Sequence, residues 1–115
     1  MHEYSLVSSL MDEVERQVQV HHATAVHAIH VRLGELAGVD PALFRTAFEM
    51  IQPDTLCAQA ELTLISEPAV WHCPHCRKPI QAGSALRCPE CQVPARLDGG
   101  RDLVLDRLEM EVSDV

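Results

Sequence analysis

The sequence predicts an α+β fold: a small three-stranded sheet with two helices on one face, interrupted by an inserted lobe that carries most of the cysteines. Three observations lead there. Apolar residues recur at helical spacing in two segments and alternate in three others. Four cysteines stand as two close pairs, between the second and third alternating segments. Around them the aliphatic pattern gives way to Gly, Pro and Arg.

Each element has its own signature. Over residues 5–20, Leu6, Val7, Leu10, Met11, Val14 and Val18 form one helical stripe, with Asp12, Glu13, Glu15, Arg16 and Gln19 opposite. His21-His22 reads as a polar turn. Over 25–36 the period changes: Ile29, Val31 and Leu33 alternate with His30 and Arg32, as in a half-buried strand, and Gly34 and Gly38 punctuate its end. Asp40-Pro41 is an N-cap with proline in the first turn. It opens a second helix lined by Leu43, Phe44, Ala47, Phe48 and Ile51 and ended by Pro53. A helical turn over Thr55–Gln59 precedes a second strand at 60–66, with Leu62 and Leu64 on one face. The lobe spans roughly 69–98, and Gly99-Gly100 reads as a hinge out of it. Leu103–Val112 is the third strand. Its alternation slips between Leu105 and Leu108, which predicts a bulge near Asp106-Arg107.

The lobe's cysteines read Cys73-Pro74-His75-Cys76 and Cys88-Pro89-Glu90-Cys91. Two such knuckles can wrap one tetrahedral ion in four thiolates, and soft thiolates favour zinc over magnesium or calcium. Pro74 and Pro89 pre-set the bend of each knuckle. Four sulfurs leave no open position for a substrate, so the zinc is expected to be structural. The lobe is therefore zinc-ribbon-like and too poor in apolar residues to fold without its metal. The remaining cysteine, Cys57, reads as a small buried hydrophobe.

Composition narrows the function classes. The chain has 115 residues, is 47% apolar and only 3% aromatic, so its core is mostly aliphatic. A formal charge of −8 argues against a nucleic-acid surface, which needs Lys and Arg for phosphates. No segment approaches the ~20 apolar residues of a membrane span, and the start lacks the basic stretch and apolar core of a signal peptide. A cytoplasmic location is expected, and it favours metal-bound thiols over disulfides. No nucleophile–base pair, phosphate-binding glycine loop or open catalytic zinc is evident, so no enzymatic activity is expected.

Met1-His2-Glu3 is the second informative stretch. A terminal amine, the deprotonated amide of His2 and the His2 imidazole can close fused rings on one ion. Nitrogen donors in a plane suit Ni(II) or Cu(II) rather than zinc. On these residues alone an arbitrary polar start is the commoner reading, since many proteins begin with Met and a polar residue.

Several blocks in order resemble the HypA family, the hydrogenase nickel-incorporation proteins (HybF in one branch). They are Met1-His2-Glu3-Tyr4-Ser5-Leu6, then Val31-Arg32-Leu33-Gly34-Glu35-Leu36-Ala37-Gly38-Val39, then Leu43-Phe44-Arg45-Thr46-Ala47-Phe48-Glu49. Ala60-Glu61-Leu62, both cysteine knuckles, Gly99-Gly100-Arg101-Asp102-Leu103 and Leu108-Glu109-Met110-Glu111 follow. The resemblance covers essentially the whole chain. It implies a nickel metallochaperone that works with a HypB-type GTPase and passes nickel to the precursor of the NiFe hydrogenase large subunit. Some relatives also feed urease. Carried over, it implies nickel donors at Met1 and His2, with Glu3 a neighbouring or additional donor, and zinc on Cys73, Cys76, Cys88 and Cys91. His72 and His75 flank the first knuckle; they read equally as metal-tuning residues or as exposed loop. The implied organisation is a nickel-binding α+β domain of residues 1–68 and 101–115 with a zinc lobe of residues 69–100, as monomer or homodimer. Two further readings stay open: a zinc-ribbon protein-interaction adaptor without nickel transfer, and a nucleic-acid-binding ribbon using Arg77, Lys78, Arg87 and Arg96, for which no aromatic stacking platform is present.

Overall fold

A computed structural model describes residues 2–81 and 85–113. Its elements run α1 (His2–His21), β1 (Ala23–Gly34), a 3-10 turn (Glu35–Ala37), α2 (Pro41–Ile51), a second 3-10 turn (Gln52–Asp54), β2 (Glu61–Glu67), β3 (Val70–His72), β4 (Pro79–Ile80), β5 (Arg96–Gly99) and β6 (Leu103–Val112). The α+β class is borne out, but the described strands form two sheets. One has the order β2-β1-β6 and the other β4-β3-β5.

In the first sheet β1 runs parallel to β2, the two being joined through α2, and antiparallel to β6. A parallel pair needs a crossover of a dozen or more residues, which α2 and its flanking turns supply. Asp40 starts α2 by accepting the Ala42 and Leu43 amides on Oδ1 at 2.9 and 3.2 Å. The expected bulge is there: His30 faces Arg107 and Val31 faces Leu105, so Asp106 is the extra residue. Two further shifts in β1 fall at Thr24 and His27. The second explains why Val26 and Ile29, three apart, both point into the core.

The main core lies between this sheet and the two helices. Val7, Leu10, Met11, Val14 and Val18 of α1 pack with Phe44, Ala47 and Phe48 of α2 over Val26, Ile29, Val31, Leu33 and Leu62. Leu43 departs from its expected place and is 55% exposed. The buried arc of α2 is only as wide as Phe44, Ala47, Phe48 and the half-buried Ile51, and Leu43 sits on its flank. The expected turn at Thr55–Gln59 is shifted: the helical part is Gln52–Asp54, followed by hydrogen-bonded turns. Gln52 Nε2 ties them together by donating to the carbonyls of Cys57 and Ala60 at 3.0 and 2.8 Å.

The lobe leaves the main sheet after β2 and returns before β6, and the crossing is pinned. Gly100 is buried with φ +82°, so it is no free hinge. Its amide donates to Glu67 Oε1 at 2.9 Å and its carbonyl accepts the Leu36 amide at 2.7 Å. The Ala69 amide donates to Glu35 Oε1 at 2.7 Å. Arg32 Nη1 donates to Glu67 Oε2 at 2.7 Å, and its Nε lies 2.9 Å from Asp106 Oδ1, close enough to pair but not aligned as a hydrogen bond. A methyl group on Gly34 would come within 2.5 Å of the Gly100 backbone, and one on Gly100 within 2.7 Å of Pro68 and Ala69. Three stretches of backbone therefore pass too close together for side chains.

Candidate metal centre

The knuckles start from two short turns. The Cys73 carbonyl accepts the Arg77 amide at 2.8 Å, and the Cys88 carbonyl accepts the Gln92 amide at 2.9 Å. In both turns the residue after the second cysteine takes a left-handed conformation, φ 65° at Arg77 and 58° at Gln92. Folding the turns back on themselves aims amides at the first sulfur of each pair. His75 and Cys76 donate to Cys73 Sγ at 3.3 and 3.4 Å, and Cys91 donates to Cys88 Sγ at 3.4 Å. These bonds favour a thiolate. Lys78 Nζ bridges the knuckles by meeting both carboxylate oxygens of Glu90 at 2.9 and 3.0 Å, an exposed pair that adds little.

All four sulfurs lie within 4.8 Å of one another, and Cys76 Sγ is 3.8 Å from Cys88 Sγ. A disulfide would need ~2.05 Å. A tetrahedron with ~2.3 Å metal–sulfur bonds puts its sulfurs about 3.8 Å apart. The donor set thus fits one soft tetrahedral ion. Four thiols this close also titrate against one another. Burial alone would raise Cys73, but the amides of Cys76 and His75 and the neighbouring thiols outweigh it and bring it down to about 6. Burial, then sharing protons with the other thiols, pushes Cys91 up to about 12. Protons compete for the same sulfurs that a divalent cation would hold.

Among the described residues this quartet is the one group of three or more metal-type ligands brought together. His72 and His75 stay out of it. His72 is half-buried, with Nδ1 buried and unpartnered; His75 is exposed. Cys57 is 2% exposed in the main core, and burial raises its thiol.

The chain start is helical, which the sequence reading missed by three residues. Met1 lies outside the described residues. His2 is exposed in the first turn of α1, where amides have no intrahelical acceptor. Glu3 is anchored instead of free: its Oε2 accepts the Asp40 amide at 3.2 Å. That bond, with Glu3's own amide, holds its carboxyl below the usual range. Asp40 therefore joins the starts of both helices, a role its sequence position showed only as a helix cap.

Comparison with known proteins places this geometry. The family model described as hydrogenase/urease nickel incorporation, metallochaperone, HypA matches residues 1–110. A hydrogenase maturation factor HypA of Shewanella baltica is 35% identical over 116 residues, covering 99% of each chain. One from Wolinella succinogenes is 38% identical over 120 residues, covering 99% of this chain and 98% of that one. The solution structure of the Ni metallochaperone HypA from Helicobacter pylori superimposes with TM-score 0.74 at 29% identity, covering 96% of this chain and 98% of the other. A second HypA solution structure gives TM-score 0.75 at 30% identity, covering 96% of both. A match that begins at the first residue, runs through both cysteine knuckles and holds in three dimensions makes this chain a member of the HypA family of nickel-incorporation metallochaperones.

Proposed function

We propose that this chain carries Ni(II) at its start and delivers it to the precursor of the NiFe hydrogenase large subunit, with zinc held structurally by Cys73, Cys76, Cys88 and Cys91. Nickel is the cargo. Its donors are the Met1 amine, the amide and imidazole of His2, and Glu3 as a neighbouring or additional donor. The observation that carries this reading is the position of His2, exposed in the first turn of α1 where its amide owes nothing to the helix. Glu3, tied to Asp40, orients that turn.

The mechanism is ligand exchange. A few exposed nitrogen donors bind nickel well enough to carry it and let an acceptor displace them one at a time. Protons compete for the same amine and imidazole, so affinity falls with pH. A HypB-type GTPase and the hydrogenase precursor are the proposed partners, the cytoplasm the proposed location, and monomer or homodimer the proposed state. No helix of the described residues is long and apolar enough to cross a membrane. We divide the chain into a nickel-binding domain of residues 1–68 and 101–115 and a zinc lobe of residues 69–100. Four thiolates in the lobe favour zinc, and four closed positions give it no catalytic part.

Nickel titration of untagged, zinc-loaded protein tests the reading. His2→Ala is expected to abolish or severely weaken nickel binding while zinc content and fold stay unchanged. An extra residue before Met1 is expected to do the same. If a blocked N-terminus binds and transfers nickel as well as a free one, the site lies elsewhere, and a zinc-ribbon adaptor becomes the better description.

A further inference from the structure

Beside the first knuckle lies an open recess of about 430 Å³, lined by His72, Pro74, Arg77, Arg96 and Asp98. Register builds it: His72 of β3 pairs directly with Arg96 of β5, and Asp98 follows two residues on, along the same strand. Arg77 comes from the knuckle turn. The recess sits in a part of the chain whose charge runs against the whole. Between residues 70 and 99, four cations (Arg77, Lys78, Arg87, Arg96) face two anions (Glu90, Asp98), although the chain carries −8.

The four cations are not equivalent. Lys78 is committed to Glu90, and Arg87 Nη1 donates to the Gln92 carbonyl at 2.6 Å. Among the described residues, Arg77 and Arg96 form no ion pair or hydrogen bond through their guanidinium groups. The two left-handed positions sharpen the contrast. Gln92 accepts that strained backbone and uses its side chain locally, Nε2 donating to the Pro89 carbonyl at 2.9 Å. Arg77 sits in the equivalent strained place, where glycine would cost less, and its side chain does nothing for the turn.

We propose that this recess docks a single carboxylate on an acidic segment of a partner protein. Two planar guanidinium groups are the side chains best shaped to hold a carboxylate by paired hydrogen bonds. Asp98 sets the charge of the ligand: against two arginines it leaves a net single positive charge, which one carboxylate neutralises, whereas a phosphate dianion would leave a negative charge uncompensated beside Asp98. The site is separate from the chain start and does not depend on how nickel is held.

The test uses the full-length, zinc-loaded chain and follows NMR signals of the Arg77 and Arg96 guanidinium N–H groups and of His72. Three probes are titrated: an amidated peptide with glutamate side chains, a non-acidic peptide with a free C-terminal carboxylate, and inorganic phosphate. The amidated glutamate peptide is expected to move these signals saturably at millimolar concentration, and the C-terminal carboxylate of the non-acidic peptide is expected to move them little. Phosphate is expected to bind weakly if at all. Arg77→Gln with Arg96→Gln is expected to weaken peptide binding about tenfold, with zinc and nickel content unchanged. Asp98→Asn is expected to tighten the peptide and admit phosphate. The proposal is overturned if the glutamate peptide does not move the signals, if the C-terminal carboxylate or phosphate matches it on the native chain, or if the arginine variants lose zinc, which would assign the guanidinium groups to the thiolate cluster.

Discussion

The helix–sheet region and the cysteine lobe each centre on a three-stranded sheet, yet they are held together by different physics. The first buries fifteen residues in one cluster, all of them apolar side chains or the lone Cys57. The second buries three in its cluster, and two of those are Cys73 and Cys88. Burying a Leu, Val or Phe is worth roughly 1.5–3 kcal/mol, so the first region has ample driving force of its own. The second has Ile80, partial cover from Trp71, Val93 and Ala95, and whatever ion the sulfurs hold. The lesson is that sheet topology says little about stability. What differs is whether the centre is filled with carbon or with sulfur.

Removing a sulfur breaks the comparison most sharply. Structural zinc contributes on the order of 10–16 kcal/mol in small peptides, more than the lobe's apolar residues can replace. Cys88→Ala is expected to leave residues 69–98 disordered while α1, α2 and the main sheet stay folded. Metal analysis with amide hydrogen exchange checks this. A lobe that stays protected without zinc would show that carbon, not sulfur, holds it, and full zinc stoichiometry would remove Cys88 from the required ligands. The converse comes from Phe44 of α2, fully buried in the core that the helices share with the main sheet. Phe44→Ala is expected to cost about 3–5 kcal/mol. Its melting should shift for the helix–sheet signals while zinc stays bound. A variant that released zinc in step with unfolding would show one cooperative unit instead of two.

How much of this was legible depends on whether the cause is local. The Asp106 bulge could be read because a bulge shifts the phase of the strand that contains it. The cysteine quartet could be read because knuckle spacing and ion geometry are both short-range. The start of α1 could not: His2, Glu3 and Tyr4 lie beyond the apolar stripe, and what anchors them is a bond to Asp40, thirty-seven residues away. Strands β3, β4 and β5 are two to four residues long, too short to show a period. Gly99-Gly100 reads as punctuation in sequence, whereas Gly100 is fixed by Glu67, Leu36 and the backbone of Pro68 and Ala69. The arginine recess needs the His72–Arg96 register to exist at all.

The smallest expected effect lies where the two regions meet. Glu67 accepts the Gly100 amide on one oxygen and Arg32 on the other, and those bonds, in that order, hold its carboxyl below the usual range. A lowered folded-state pKa means the ionised form is favoured in the fold. Its contribution is fully present above the unfolded carboxyl value of about 4.3 and fades as pH falls through the folded value. Glu67→Gln keeps an acceptor for Gly100 and loses the charge that Arg32 pairs with. At neutral pH the variant is expected to keep both regions folded and its metal in place, with a small loosening of their relative orientation in residual dipolar couplings. In acid, the native Gly100 amide shift is expected to show a component that titrates with the carboxylate and that the variant lacks. Because acid also protonates the thiolates in both proteins, only the difference between them reports Glu67. Identical acid titrations would mean that the glycine contacts and Glu35, not the Glu67 charge, hold the lobe against the sheet.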